Sequence, residues 1–377
     1  MQKEKIIQEL QELKNDNRFR TVKTNDKSLY NFSSNDYLGL AHDKDLLQKF
    51  YQNYNFDNYK LSSSSSRLID GSYLTVMRLE KKVEEIYGKP CLVFNSGFDA
   101  NSSVIETFFD KKSLIITDRL NHASIYEGCI NSRAKILRYK HLDVSALEKL
   151  LKKYSENYND ILVVTETVYS MDGDCAEIKQ ICDLKEKYNF NLMVDEAHSY
   201  GAYGYGIAYN EKLVNKIDFL VIPLGKAGAS VGAYVICDEI YKNYLINKSK
   251  KFIYSTALPP VNNLWNLFVL ENLVNFQDRI EKFQELVTFS LNTLKKLNLK
   301  TKSTSHIISI IIGDNLNAVN LSNNLKELGY LAYAIKEPTV PKDTARLRIS
   351  LTADMKKEEI ETFFKILKAE MKKIGVI

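Results

Sequence analysis

Seven short apolar segments between residues 92 and 237 constrain the fold of this chain more than any other feature. They cover residues 92–95, 114–117, 136–139, 161–166, 192–195, 219–224 and 233–237. Helix-like segments separate them, and strands that alternate with helices are typical of a parallel sheet covered on both faces. At 377 residues the chain is also longer than a single hydrophobic core usually supports, so more than one domain is expected. We predict an α/β fold, with a large domain on a mostly parallel seven-stranded sheet and a smaller C-terminal α+β domain.

The two ends of the chain have patterns of their own. After the Pro-Pro pair at 259–260, a helical stretch leads to three further strand-like segments at 305–312, 330–334 and 346–351. Near the start, four apolar residues share one face of a predicted helix, which we expect to pack on the body or on a second subunit. They are Ile6, Ile7, Leu10 and Leu13. The predicted division is an N-terminal arm (1–34), a large domain (35–265) and a small domain (266–377).

Charge and cysteine content narrow the classes of function. The net charge of +5 is mild, and lysines are dispersed among acids, so we predict no nucleic-acid partner. The five cysteines form no CxxC pair and leave an odd count, which favours reduced cytoplasmic thiols over disulfides or a zinc site. No apolar run approaches the ~18 residues of a membrane span. We therefore expect a cytoplasmic protein with no membrane segment and no metal.

Lys226 stands between an apolar run at 217–225 and a stretch of small residues at 227–232. The run predicts a buried strand, and small residues let a flat ligand approach the backbone. Burial lowers the pKa of an amine, and a neutral amine can form a Schiff base with a carbonyl cofactor. Most lysines at strand ends simply reach into water, so this signal is weak alone.

Asp195 and His198 strengthen the prediction that Lys226 belongs to a cofactor site. Asp195 ends the apolar run at 190–194, and ligands of α/β proteins bind at the carboxyl ends of strands. A carboxylate beside a pyridine nitrogen keeps that nitrogen protonated and makes the ring an electron sink. His198 can hydrogen-bond a phenolic oxygen of such a ring. Either residue alone would be an ordinary strand-end side chain, but together with Lys226 they favour a cofactor site.

The segment at 95–101 predicts a strand, a glycine turn at Gly97 and then a helix. Free N–H groups at a helix start bind phosphate, and the helix dipole adds to this. The segment lacks the dinucleotide GxGxxG and the P-loop patterns. By itself it is more typical of a plain strand-to-helix turn, in which Gly97 serves only the geometry.

An ordered set of motifs carries a family resemblance. The motifs are Asn-Phe-Ser-Ser-Asn-Asp-Tyr-Leu-Gly-Leu at 31–40, Asn-Ser-Gly-Phe at 95–98, the segments 118–124 and 170–174, Val-Asp-Glu-Ala-His at 194–198, Gly-Lys at 225–226, the segment 254–260, Pro-Thr-Val-Pro at 338–341 and Arg-Leu-Arg at 346–348. In this order they resemble the α-oxoamine synthases, pyridoxal-phosphate enzymes with the aspartate-aminotransferase fold (fold type I).

The resemblance implies pyridoxal 5′-phosphate as cofactor and a homodimer with shared active sites. It also implies condensation of an amino acid with an acyl thioester and loss of CO2. The motifs at 31–40 and 338–348 favour the branch of biotin biosynthesis, which uses L-alanine and a pimeloyl thioester. Whether coenzyme A or an acyl carrier protein holds the acyl group stays open, as does the chain length.

Residue roles follow from the same resemblance. Lys226 would form the Schiff base and move the Cα proton, and His122, Asp195 and His198 complete the predicted catalytic set. The predicted cofactor contacts are Gly97, Phe98, His122, Glu166, Ser170, Asp195, His198, Lys226, Ser255 and Thr256, the last two reaching the partner subunit's site. The predicted substrate contacts are Asn35, Thr339, Arg348 and Arg18, with Arg20 as the alternative register for the last; Arg346 is expected in a structural ion pair.

Two departures from the family pattern bear on cofactor affinity. Pro223 stands where the family has a hydroxyl residue near the phosphate, and proline offers neither a hydroxyl nor an N–H donor. The loop after the lysine has Ala-Ser-Val at 229–231 where glycine and serine are common. Ser230 or a hydroxyl of the partner chain is a candidate replacement.

Rival functions remain at this point. Other members of the family use glycine with acetyl-CoA or succinyl-CoA, or serine with a long acyl chain. An aminotransferase would instead transfer the amino group to an oxo acid. A protein that binds the cofactor without catalysis is the alternative from a different class, and Pro223 is the feature that favours it.

Overall fold

The computed structural model describes residues 2–22, 24, 26, 28–54 and 60–377. The chain divides into two compact units, of which the first comprises residues 1–35, 170–174 and 282–377. The second unit comprises residues 36–169 and 175–281. The N-terminal arm thus belongs to the same unit as the C-terminal segment. The division predicted at 34/35 and 265/266 stays a prediction.

Strands and helices alternate along the described ranges. The strands are β1 (Tyr30–Asn31), β2 (Cys91–Phe94), β3 (Leu114–Asp118), β4 (Lys135–Tyr139), β5 (Ile161–Glu166), β6 (Asn191–Asp195), β7 (Phe219–Pro223), β8 (Ala233–Cys237), β9 (Ile307–Gly313), β10 (Tyr330–Leu331), β11 (Tyr333–Ile335) and β12 (Ala345–Ser350). The helices are α1 (Gln2–Asn15), α2 (Lys44–Asn53), α3 (Leu74–Tyr87), α4 (Gly97–Phe108), α5 (Ala123–Ser132), α6 (Val144–Tyr154), α7 (Ile178–Leu184), α8 (Ile207–Asn210), α9 (Glu239–Lys248), α10 (Lys250–Ile253), α11 (Pro260–Asn272), α12 (Gln277–Lys296), α13 (Asn315–Glu327) and α14 (Lys357–Lys373).

A seven-stranded sheet forms the centre of the second unit, with the order β2-β8-β7-β6-β5-β3-β4. Strands β3 to β7 pair in parallel with their neighbours among themselves, whereas β8 is antiparallel to both β7 and β2. All seven predicted strands are present, and their ends agree to within one residue. The predicted fold class, a mostly parallel α/β sheet with a smaller α+β part, is confirmed.

The central strands are buried on both faces of the sheet, which explains why their sequences are continuous apolar runs. Every residue of β3, β5, β7 and β8 is buried, so no alternation with polar residues survives. The edge strand β4 keeps partly exposed positions. Helix α4 covers one face of the sheet, with Ala100, Val104 and Ile105 fully buried in its core. Each aliphatic side chain of valine size or larger contributes about 1.5–3 kcal/mol when fully buried.

The first unit holds the C-terminal strands. Strands β9, β11 and β12 form an antiparallel sheet in the order β11-β12-β9, and β1 pairs in parallel with β10. The predicted strand at 330–334 is therefore two short strands in different sheets, because the chain changes partner at Ala332. Phe32 stacks on Phe363 of α14 with ring centroids 3.9 Å apart, which joins the N-terminal arm to the C-terminal helix.

Helix α1 exposes the apolar face that the sequence predicts. Ile6, Ile7 and Leu10 are exposed and Leu13 is partly buried, so the described residues leave most of this face uncovered. A second subunit remains the alternative for covering it.

The described ranges contain no helix that is long and apolar enough to cross a membrane. All five cysteines lie in these ranges and are free thiols. No group of three or more His, Cys, Asp or Glu side chains in the same ranges is arranged to hold a metal ion.

Candidate functional site

The carboxyl ends of neighbouring parallel strands bring the predicted residues of the second unit together. Strand β5 ends at Glu166 and β6 at Asp195, and these two residues are paired in register. Strand β7 ends at Pro223, shortly before Lys226. Because parallel neighbours end at the same edge of a sheet, residues far apart in sequence meet there.

A cavity of about 230 Å³ opens at this edge, within the second unit. The predicted residues that line it are Gly97, Phe98, His122, Glu166, Asp195, His198 and Lys226. Pro223 and Ser96 also contribute to its wall.

The start of α4 supplies the cavity with backbone donors. Ser96 caps the helix, since its Oγ accepts a hydrogen bond from the Asp99 N–H at 3.0 Å. The N–H groups of Gly97 and Phe98 fall in the first turn, where no helical carbonyl reaches them. A Cβ on residue 97 would lie 2.6 Å from Cγ of Pro223, so the proline ring packs directly against this glycine. The arrangement suits an anion.

Asp195 is buried and held in place by two donors. Its Oδ1 accepts the Ala197 N–H at 2.7 Å, and its Oδ2 accepts Nδ2 of Asn101 at 2.6 Å. These two hydrogen bonds fix the direction of the carboxylate. The site therefore offers a rigidly held, buried carboxylate.

A chain of hydrogen bonds continues from Asp195 to His122. Asn101 donates a second bond to Oγ of Ser124 at 3.0 Å, and that Oγ lies 2.8 Å from Nδ1 of His122. The backbone N–H of Ser124 also donates to this Nδ1 at 3.2 Å. A backbone N–H can only donate, so the neutral ring carries its proton on Nε2. Asn101 and Ser124 also line the cavity, and the sequence interpretation missed both.

Glu166 holds the backbone of His122. Its Oε1 accepts the His122 N–H at 2.5 Å. Burial raises the pKa of Glu166 well above its usual value, and the charge of Asp195 raises it further. Burial lowers the pKa of His122; Asp195 opposes this shift and Lys226 adds to it. The histidine is therefore a neutral hydrogen-bond donor near pH 7.

His198 is positioned by a tyrosine that the sequence interpretation also missed. Tyr37 is fully buried, and its Oη lies 2.6 Å from Nδ1 of His198. Tyr37 belongs to the 31–40 motif, in which the sequence predicts a contact for Asn35 alone.

Ser255 and Thr256 lie in the second unit but do not line the cavity that contains Lys226. The carbonyl of Thr256 accepts Nδ2 of Asn95 at 2.7 Å. The serine run at 62–66 is tied to the same segment, because Oγ of buried Ser63 donates to the Ala257 carbonyl at 2.6 Å. A contact of Ser255 and Thr256 with a partner subunit stays a prediction.

Arg348, Asn35 and Ser170 come together in the first unit. The Arg348 guanidinium donates to the Ser170 carbonyl at 2.6 Å, to Oδ1 of Asn35 at 3.1 Å and to Oγ of Ser350 at 2.8 Å. Arg346 makes the expected ion pair, at 2.6 Å from Oδ1 of Asp172.

The N-terminal arginines differ in their surroundings. Arg20 donates from Nη2 to Oγ1 of Thr339 at 2.8 Å. Arg18 instead pairs with Asp16 at 3.1 Å. The substrate role predicted for Arg18 stays untested, and the contact with Thr339 favours Arg20.

Comparison with known proteins gives similar chains that match almost end to end. The family model "Aminotransferase class I and II" matches residues 27–367. A Pasteurella multocida protein named "Putative 8-amino-7-oxononanoate synthase" is 40% identical over 376 residues, covering 96% of this chain and 97% of that protein. A high-resolution structure of SPT (serine palmitoyltransferase) with a PLP internal aldimine matches with TM-score 0.88 and 26% identity, over 99% of this chain and 98% of that one. The crystal structure of 8-amino-7-oxononanoate synthase from Francisella tularensis matches with TM-score 0.78 and 29% identity, over 93% and 99%.

Glu196, next to Asp195, faces away from the cavity into the interior. Its side chain is fully buried, and Oε1 accepts the Ala208 N–H at 2.8 Å. A Cβ on Gly206 would lie 1.8 Å from Oε2, so that residue has to be glycine, which also suits its φ of 106°. Burial raises the pKa of Glu196 to about 8, so the folded protein holds this carboxyl protonated at pH 7.

Glu196 should therefore make the protein less stable as pH rises. The unfolded carboxyl loses its proton near pH 4.5 and the folded one near pH 8, so stability is lost between these values. Relative to Glu196→Gln, the wild-type free energy of unfolding should fall by up to about 1.4 kcal/mol per pH unit between pH 5 and 8. Urea unfolding followed by the emission of Trp265, the sole tryptophan, measures this.

The matched control is Glu211→Gln, which removes the same charge from an exposed position. A difference between wild type and Glu196→Gln that stays constant from pH 5 to pH 8 would contradict the assignment of a protonated buried carboxyl.

Proposed function

Because the chain belongs to the aminotransferase class I and II family, and within it to the α-oxoamine synthases, we propose that it is an 8-amino-7-oxononanoate synthase of biotin biosynthesis. The proposed reaction joins L-alanine to a pimeloyl thioester, held on coenzyme A or on an acyl carrier protein, and releases CO2 and the free thiol. Identity of 40% to a protein named for this activity supports the choice of substrates. The observation that carries the proposal is the cavity that gathers Lys226, Asp195 and His122 beside the start of α4.

Pyridoxal 5′-phosphate is the cofactor, as the motifs predicted; the family and the matched SPT structure support it. The residues present fit this group. First-turn N–H groups of α4 suit its phosphate, and the buried Asp195 carboxylate suits a protonated ring nitrogen. When bound, the cofactor supplies an aldehyde for amines and a ring that withdraws electrons from the amino-acid Cα.

Each cavity residue has a proposed task in holding the cofactor. Gly97 and Phe98 would bind the phosphate through backbone N–H groups, and His198 would donate to the phenolic oxygen. The imidazole of His122 would lie against the face of the ring. Lys226 would hold the aldehyde end of the cofactor through its amine.

Lys226 and His122 carry the proposed proton and charge chemistry. Once alanine is bound, the Lys226 amine takes the Cα proton, and it returns a proton to that carbon after CO2 has left. The neutral His122 ring, with its proton on Nε2, donates a hydrogen bond to the thioester oxygen as negative charge develops there. Glu166 and Ser124 fix the histidine for this task through the bonds at its backbone N–H and at Nδ1.

Two arginines are proposed to bind substrate. Arg348 remains the candidate for the amino-acid carboxylate, because its planar guanidinium pairs with both carboxylate oxygens. For the N-terminal arginine we now propose Arg20 in place of Arg18, since only Arg20 is bonded to Thr339.

We also propose that the chain acts as a homodimer with shared active sites. Tyr254, next to the Ser255-Thr256 segment, is 82% exposed, and Ile69 is 83% exposed. We propose that the partner subunit covers these two exposed apolar side chains. An acyl carrier protein as donor and a cytoplasmic location stay predictions.

Replacing Lys226 with alanine tests the assignment directly. We expect loss of the visible absorption band of the bound cofactor and a fall in turnover of at least about 10⁴-fold, because the variant lacks both the covalent anchor and the proton carrier. Absorbance spectra and thiol release measure the two effects. A variant that keeps full turnover would disprove the role of Lys226.

The same thiol-release assay tests the substrates. L-alanine, glycine and L-serine are each paired with acetyl-, succinyl-, pimeloyl- and palmitoyl-CoA, and the proposal expects the highest kcat/KM for alanine with the pimeloyl thioester. Preference for serine with a long chain would instead identify a serine palmitoyltransferase. If no pair releases thiol although the cofactor is bound, the binding-only alternative gains the support.

Arg20→Gln and Thr339→Val should both weaken substrate binding, because each removes one partner of a charged hydrogen bond. We expect KM for one of the two substrates to rise by about tenfold or more in each variant. Arg18→Gln is the matched control, one arginine on the same segment, and should change KM by less than about threefold. A larger effect at Arg18 than at Arg20 would restore the original assignment.

Pro223→Thr should tighten cofactor binding. The threonine returns a hydroxyl and an N–H to the wall beside Gly97, and one hydrogen bond to a charged group is worth about 1.5–3 kcal/mol, or roughly tenfold or more in Kd. Pro223→Val is the control, since it matches the shape of threonine without the hydroxyl. Equal cofactor affinities for the two variants, measured by absorbance titration, would show that the phosphate does not reach this position.

A further inference from the structure

The loop at 224–232 carries Lys226 between two strands that are firmly paired. Its base is closed where Pro223 of β7 opposes Ala233 of β8, and the Leu224 N–H donates to the Gly232 carbonyl at 2.9 Å. Within the loop, the Ala229 N–H donates to the Lys226 carbonyl at 2.8 Å. The base of the loop is therefore fixed by strand pairing, whereas its tip, residues 229–231, lies beyond the paired strands.

The tip of the loop has an unfavourable backbone conformation. Ala229 has a φ of 50°, in the left-handed region that residues with a Cβ seldom adopt. Such a conformation persists only where surrounding contacts enforce it. Within the loop, the Ser230 N–H donates to the Leu224 carbonyl at 3.2 Å, and helix α11 supplies two further contacts to this segment.

Two consecutive side chains of α11 donate to two carbonyls of the loop tip. Nε1 of Trp265 donates to the Ala229 carbonyl at 3.0 Å, and Nδ2 of Asn266 donates to the Val231 carbonyl at 3.2 Å. Asn266 is 97% buried in the middle of the helix, where asparagine has low helix propensity and buried amides are costly. Its position is thus better explained by the loop than by the helix.

Trp265 is itself braced. Its ring meets Phe50 edge-on with centroids 5.1 Å apart, and it contacts Phe268 at 5.8 Å. With the ring fixed, the direction of its N–H is fixed too.

We propose that Trp265 and Asn266 are positioning residues for Lys226: their N–H groups hold the 229–231 segment in the one conformation that directs the lysine amine into the cavity. This inference rests on the proposed role of Lys226. It assigns no contact between α11 and the cofactor or the substrates. Without these two donors, we expect the loop to take several conformations and the Lys226 amine to lose its fixed direction.

The test compares Trp265→Phe and Asn266→Ala with Asn272→Ala. Trp265→Phe keeps an aromatic ring and removes the N–H. Asn272 is a matched control in the same helix, because its Nδ2 donates at 2.8 Å to the Phe268 carbonyl within α11. Hydrogen exchange of the 224–232 peptide, in protein freed of cofactor, reports the order of the loop without reference to activity. We expect exchange about tenfold faster in the first two variants and unchanged in the control.

A second measurement separates positioning from mere structural support. In the protein loaded with pyridoxal 5′-phosphate, Trp265→Phe and Asn266→Ala should shift the pH midpoint of the visible band and raise the cofactor Kd by about tenfold, while the control matches wild type. Faster exchange with an unchanged pH midpoint and Kd would overturn the inference. So would wild-type behaviour in both measurements.

The outcome for the proposed function is read separately. If wild type shows the band but releases thiol from no substrate pair, the proposed activity fails while the loop inference stands on the spectral shifts. If Lys226→Ala keeps the band and its pH midpoint, the role of Lys226 fails and the loop inference fails with it.

Discussion

The site depends on the parallel alignment of β5, β6 and β7, because this alignment brings the ends of all three strands to one edge. Its electrostatic consequence is a pair of buried carboxylates in register, Glu166 and Asp195. Two like charges so close in a medium of low dielectric constant cannot both persist. The two acids differ in their hydrogen bonds: Asp195 accepts a backbone N–H and the Asn101 amide, whereas Glu166 accepts the His122 N–H and has its pKa raised by burial and by its neighbour.

This inequality assigns the two acids to different tasks. Asp195 presents the carboxylate that would face a protonated ring nitrogen of the cofactor, and Glu166 serves as a hydrogen-bond acceptor for the His122 backbone. The hydrogen-bonded chain through Asn101 and Ser124 then joins the acid to the histidine. One network of hydrogen bonds thus supplies partners both to the Asp195 carboxylate and to Nδ1 of His122. A substitution at Asn101 would disturb both.

The sequence was most informative where a run of apolar residues by itself indicates a buried strand. Strands buried on both faces are continuous apolar runs, so the sheet and the residues at its edge, Asp195 and Lys226, could be predicted. Asn101 and Ser124 could not, because a polar residue on a helix gives no sign of which neighbour it faces until the helices are packed. Nor could the choice between Arg18 and Arg20, since no periodicity in that segment fixes which side chain points toward Thr339.

The two departures from the family pattern, at Pro223 and at 229–231, both shape the loop that carries Lys226. Pro223 follows the last residue of β7 that pairs with β6, Val221, so its missing N–H removes no hydrogen bond on that side, and its ring fills the space left by Gly97. A loop with fewer glycines has fewer conformations to lose on folding, but it must place Ala229 at positive φ. Donors from α11 offset that strain at the carbonyls of Ala229 and Val231. Rigidity that glycine would not provide is thereby placed beside the lysine, where a fixed direction of the amine matters most.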